Sequence, residues 1–134
     1  MSLTITSTKS FSGTAGNYSL TESFTGSALS SASETANASS STNVEIFANN
    51  SSGELKFMAI KSDKEGSFEV KKADGTTIGT SKTLTAGISR VFFGTALTGS
   101  DFYNDADIAS INVANTDTTA QASISIDLLY DATP

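Results

Sequence analysis

A chain of 134 residues with net charge −6 and neither cysteine, histidine nor tryptophan has the size of one domain, able to bury roughly two-thirds of its unfolded surface without a metal or a staple. Without cysteine there are no disulfides, thiolate nucleophiles or Cys-based zinc sites, and without histidine the commonest general base and metal ligand is missing. The acidic balance, with no dense Lys/Arg run, gives no footprint for nucleic acid, and nowhere do about 18 apolar residues follow one another as a membrane helix requires.

The segment Met1–Ser7 lacks a basic region followed by an apolar run, so no secretion signal is expected in it. Leu3 and Ile5 alternate with Thr4 and Thr6, while Tyr18, Leu20 and Phe24 share one parity, as on strands with one apolar face. Between them Gly13-Thr-Ala-Gly16 reads as a turn, since it lacks the Gly-Lys-Ser/Thr of a phosphate loop and no helical pattern follows. The Ser/Ala-rich stretch 25–42 holds only Leu29 as a large apolar anchor, and by itself it cannot offset its ordering entropy. It is expected to be an arm or a strand held by neighbours, with Ala32, Glu34 and Ala36 on one parity.

Val44 and Ile46 mark the next strand. Glu54–Lys61 is apolar on both parities in its middle, which requires a central strand covered on both faces or a strand in a subunit contact. In the second case Met58 and Ile60 are contact residues. Phe68 and Val70 alternate with Ser67, Glu69 and Lys71 up to Asp74-Gly75, a pair that predicts a type I′ hairpin with a return strand from Thr76 through Ile78. Further strands are expected over Ile88–Phe93, Ile108–Val113 and, with the cleanest alternation, at Ile124, Ile126 and Leu128. Gly94, Gly99, Asn104 and 115–119 supply turn chemistry, and one helical turn is expected near Asp101–Asp107. No helical period persists over three turns. The expectation is an all-β chain, a single antiparallel β-sandwich domain over residues 1–134.

The most site-like cluster is Asp101, Asp105 and Asp107, since calcium takes several oxygens from one loop, but the glycine and distal glutamate of an EF-hand are missing. A solvated, cap-forming loop is the stronger expectation there. Glu45, Glu54, Glu65 and Glu69 are expected on outward strand positions or in turns, as solubilising charge and not as a glycosidase pair. No catalytic residue and no cofactor is expected. The tripeptides starting at Asn17, Asn37, Asn49 and Asn50 match the glycosylation pattern, which a Ser-rich chain does by chance. Phe92-Phe93 and Phe102-Tyr103 each put one aromatic on either strand face, so one of each pair needs cover from a second layer or from another chain.

Ile111-Asn-Val-Ala-Asn115 followed by Ala122-Ser-Ile-Ser-Ile-Asp-Leu-Leu-Tyr-Asp-Ala-Thr-Pro134 resembles the C-terminal strand pair of tailed-phage head-decoration (cement) proteins, and Lys82–Gly87 leading into Ile88–Phe93 fits the same pattern. The resemblance covers the last two-thirds of the chain. It implies a jelly-roll-like sandwich on the virion, at the outer surface of an icosahedral capsid, binding the major capsid protein as a homotrimer and without catalysis. The alternative with the same architecture is a receptor- or glycan-binding domain of a phage fibre or adhesin, against which the absence of tryptophan as a sugar platform counts.

Overall fold

The cleanest alternation in the sequence forms the middle of the structure, a computed structural model that describes residues 2–14, 16–49, 54–93 and 107–132. The side chains of Ser7, Lys9, Phe11, Tyr18, Phe24 and Phe93 lie outside this description. The described residues form ten strands: β1 Leu3–Gly13, β2 Gly16–Gly26, β3 Ala28–Ala36, β4 Ser41–Ala48, β5 Leu55–Ser62, β6 Gly66–Lys71, β7 Thr77–Leu84, β8 Arg90–Phe93, β9 Ile108–Asn115 and β10 Ala122–Tyr130. No helix occurs among the described residues. The helical turn expected near Asp101–Asp107 lies outside the described residues, apart from Asp107 itself.

Strands β3 to β10 form two four-stranded antiparallel sheets, in the orders β3-β10-β5-β8 and β4-β9-β6-β7. Consecutive strands from β3 to β6 alternate between sheets, and so do those from β7 to β10. Each strand of the first half pairs with its mirror in the second: β3 with β10, β4 with β9, β5 with β8, β6 with β7. That nested pairing is a long hairpin rolled into two sheets, the jelly-roll arrangement. The fold expected from the sequence is therefore the fold observed.

Between the sheets lie Val44, Ile46, Met58, Ile60, Phe68, Val70, Ile78, Leu84, Phe92, Ile111, Val113, Ile124, Ile126 and Leu128, all buried. Period-two alternation delivers these side chains to one face of each strand, and their removal from water is the main favourable contribution to folding. Phe68 and Phe92 meet edge to face at 6.0 Å, and the Arg90 guanidinium sits 5.4 Å from the Phe92 ring centre. Strand β3 is held at the sheet edge by β10, with Ala32 and Ala36 facing the neighbouring sheet across β4. Residues 25–42 are thus strand and turn and not a loose arm, and their small side chains let the two sheets approach at this edge.

The Asp74-Gly75 turn is not type I′. Only Gly75 has positive φ, at 86°, Lys72 C=O accepts from Gly75 N–H, and Lys72 N–H donates to Thr76 C=O. This is the three-residue hairpin loop in which a type I turn is followed by one left-handed residue. Asp74 stabilises it by accepting from the Thr76 N–H at 2.9 Å and the Thr76 hydroxyl at 2.7 Å.

Strands β1 and β2 stand outside the jelly roll as a two-stranded antiparallel ribbon, paired without interruption from Leu3↔Gly26 to Gly13↔Gly16. The Gly13–Gly16 turn is where the sequence placed it. The ribbon's main contacts with the sandwich run from β2 to β5 and β10.

Candidate functional site

The outer face of the β3-β10-β5-β8 sheet divides into two halves. Along β10 the outward positions are Ser123, Ser125, Asp127 and Leu129, and beside them stand Thr35, Ser33, Ser31 and Leu29 of β3. Lys61, Ala59 and Phe57 of β5 follow on the other side. One half of the face is therefore polar and the other apolar.

The apolar half is covered by the root of the ribbon. Leu129 and Phe57 point away from the main core, yet they are 0 % and 6 % exposed. Gly26 at the end of β2 lies against Leu129 and the Tyr130 carbonyl so closely that an added Cβ would sit 2.9 Å from that oxygen. The Ser27 N–H donates to the Tyr130 carbonyl at 3.0 Å, and the Ala132 N–H to the Ser27 hydroxyl at 2.8 Å, which fastens the ribbon root to the end of β10. Beside this covered patch, Leu29 remains 50 % exposed.

The polar half is an open depression of about 510 Å³ lined by Ser33, Glu34, Thr35, Lys61, Asp63, Ser123, Ile124 and Ser125. Its floor is fixed by backbone pairing. Asp63 accepts from the Ser123 N–H at 2.8 Å, and the Asp63 N–H donates to the Ser123 carbonyl at 3.2 Å. At its margin the Ser31 hydroxyl donates to Asp127 at 2.6 Å. Exposed hydroxyls, a cation and carboxylates suit hydrogen bonding to a polyhydroxylated ligand, but none of the lining residues is aromatic, so no stacking platform is offered.

The ribbon beyond its root has two different faces. At register positions of one parity stand Ile5↔Phe24, Ser7↔Glu22, Lys9↔Leu20 and Phe11↔Tyr18, and at those of the other Thr4↔Thr25, Thr6↔Ser23, Thr8↔Thr21 and Ser10↔Ser19. The polar side is a ladder of hydroxyls, with Thr8 and Thr21 3.2 Å apart. The first set mixes apolar and charged positions, and in it Leu20 is 53 % exposed.

The contact residues expected from the sequence distribute differently. Met58 and Ile60 of the central strand β5 and Phe92 of the edge strand β8 are buried between the sheets of one copy, so the second layer supplies the cover that the sequence required for them. Phe93 pairs with Phe57 in the β5–β8 register; Phe102 and Tyr103 lie outside the described residues, as do Asp101 and Asp105. Asp107 is exposed at the start of β9, and among the described residues no three His, Cys, Asp or Glu side chains converge as a metal site would require. Glu45 and Glu65 are exposed and Glu69 is half-buried, but Glu54 is buried at the start of β5, contrary to the outward position expected of it. What sequence reasoning missed is that β1 and β2 pair only with each other, outside the two sheets of the sandwich; the signal was the length of the two alternating segments on either side of the Gly13–Gly16 turn.

No family model matches the chain, and no curated protein matches it. Among solved structures it is similar to the family 11 carbohydrate-binding module of a cellulosomal cellulase of Clostridium thermocellum, at 16% identity and a TM-score of 0.33, over 97% of this chain and 85% of that one. A similarity at that score does not carry the module's ligand to this chain.

Proposed function

We propose that this chain is a non-catalytic structural protein that works by joining a larger protein assembly, with its ribbon as the attachment arm. The observation that supports the reading is the ribbon itself, which pairs with no strand of the jelly roll and leaves Leu20 half exposed. An isolated two-stranded ribbon is at best marginally stable in water, so eleven uninterrupted pairs that carry an exposed Leu20 call for a surface to lie on. The icosahedral phage head is the assembly named by the resemblance of Ile111–Asn115 and Ala122–Pro134 to decoration proteins, and it enters on that resemblance alone. Heads assembled without the chain should take it up in fixed stoichiometry and better resist heating. Heads that bind none of it would sink the reading.

A second reading is favoured by the polar depression: a saccharide-binding module using Ser33, Lys61, Asp63 and Ser125. A glycan panel separates the two. Binding to one saccharide class, lost in Lys61→Ala, supports the second reading, whereas a blank panel with uptake by heads supports the first.

A further inference from the structure

We propose that the polar depression takes an uncharged, extended glycan chain laid across the strands, one sugar residue to each of β3, β10 and β5. The inference rests on the saccharide reading and names its ligand class. Three observations carry it. First, the groups in the depression are available. The hydroxyls of Ser33, Thr35, Ser123 and Ser125, the Lys61 ammonium and the Glu34 carboxylate make no hydrogen bond or ion pair among the described residues. One position further along the same face, by contrast, the Ser31 hydroxyl is already bonded to Asp127.

Second, the chemistry of these groups is balanced. Hydroxyls donate and accept, Lys61 only donates, and Glu34 and Asp63 only accept. A sugar hydroxyl does both, so a neutral glycan can pair with every one of them. A polyanion would meet two carboxylates and a polycation the ammonium, and each such like-charge contact is unfavourable. Third, the backbone register sets a spacing. Thr35, Ser123 and Asp63 form one row across the sheet, and Ser33, Ser125 and Lys61 form the next. Neighbours in a row stand about 4.8 Å apart, the distance between strands, which is close to the length of one sugar ring in an extended chain. The two rows are about 7 Å apart along the strands, and a single chain fits between them. Beyond the second row come the Ser31–Asp127 pair and then the ribbon root over Leu129, so the long direction of the depression runs across the strands.

The test is a titration of the full-length chain, followed by backbone amide NMR shifts. The probes are neutral β-1,4-linked glucose, mannose and xylose oligomers of increasing length, a uronic acid oligomer and a deacetylated amino-sugar oligomer. Affinity for a neutral series should rise about tenfold from dimer to trimer, as one further set of hydrogen bonds predicts, and level off beyond the trimer. The shifts should centre on Ser33, Lys61 and Ser125. Ser125→Val and Lys61→Ala change exposed positions outside the core, and each should weaken trimer binding about tenfold. Lys82→Ala, on β7 of the other sheet, should leave it unchanged. Preference for a charged oligomer, or affinity that does not grow beyond a single sugar, overturns the inference and leaves the saccharide reading standing. A chain that binds none of these probes overturns both.

Discussion

At the scale of single residues the fold depends on places where a side chain must be absent or must be polar. Gly66 opens β6 opposite Asn115, and a Cβ there would overlap the carbonyl oxygen of Ala114, which belongs to the rigid central strand β9. Gly66→Ala should therefore destabilise by about 3 kcal/mol or more, as overpacking against backbone does. Gly13→Ala meets nothing within 4 Å and serves as the control; denaturant midpoints of the two variants give the comparison. Asn115 is the polar counterpart. It is 3 % exposed, and its Nδ2 lies within hydrogen-bonding distance of the carbonyls of Ala36, Asn37 and Ala120, while its Oδ1 accepts from the Asp117 N–H. One side chain thus ties the β3–β4 turn to the β9–β10 loop. Asn115→Ala should cost about 2–4 kcal/mol, because the carbonyls of buried Ala36 and half-buried Ala120 lose this donor and the Asp117 N–H loses its acceptor. A midpoint shift within the noise of the wild type would show that water replaces the amide. The sequence marked Asn115 only as turn chemistry, since nothing local reveals which distant carbonyls a side chain will meet.

At the scale of elements, what was legible was whatever one strand displays by itself. The parity of Ile124, Ile126 and Leu128, the double-sided apolarity of Phe57–Ile60 and the small residues Ala32 and Ala36 each correspond to the strand environment found. Pairing was not legible, because the partner of a strand lies up to a hundred residues away and its register is set by packing. The loops joining the strands are held by carboxylates, and these give the chain an acid limit. Asp117 accepts from the Thr119 N–H and the Ala120 N–H, each at 2.8 Å, and from the Thr119 hydroxyl. These bonds hold its carboxyl below the usual range. The Thr76 hydroxyl and N–H do the same for Asp74, and the Lys71 ammonium, 2.7 Å away, does so for Glu69. A pKa lower in the folded chain than in the unfolded one contributes stability that is present at neutral pH and lost as pH falls through the folded value. Stability should accordingly fall between about pH 4 and pH 2, below the unfolded carboxylate values. Asp117→Asn keeps the hydrogen-bond acceptor without the titration, so its acid limb should be shallower than that of the wild type in thermal melts across that interval. Identical limbs would remove Asp117 from the explanation.

At the scale of the whole molecule two kinds of stability coexist. The jelly roll closes the first strand of its long hairpin onto the last, β3 onto β10, so the two sheets share one core and should unfold together. The ribbon has no such closure: its hydrogen bonds are internal and its fastening to the sandwich is concentrated at Gly26 and Ser27. Elements with few buried contacts open locally at a small fraction of the global free energy. In dilute solution the amides of β1 and β2 should therefore exchange with solvent about a hundredfold faster than those of β10, a gap of about 2.7 kcal/mol at 1.36 kcal/mol per factor of ten. A partner that covers the ribbon should slow exchange in β1 and β2 while leaving β10 unchanged, since β10 already opens only with the whole fold. Ribbon amides as slow as those of β10 in the chain by itself would mean that the ribbon belongs to the jelly roll's cooperative unit, and that its exposed leucine is a feature of a self-sufficient strand pair.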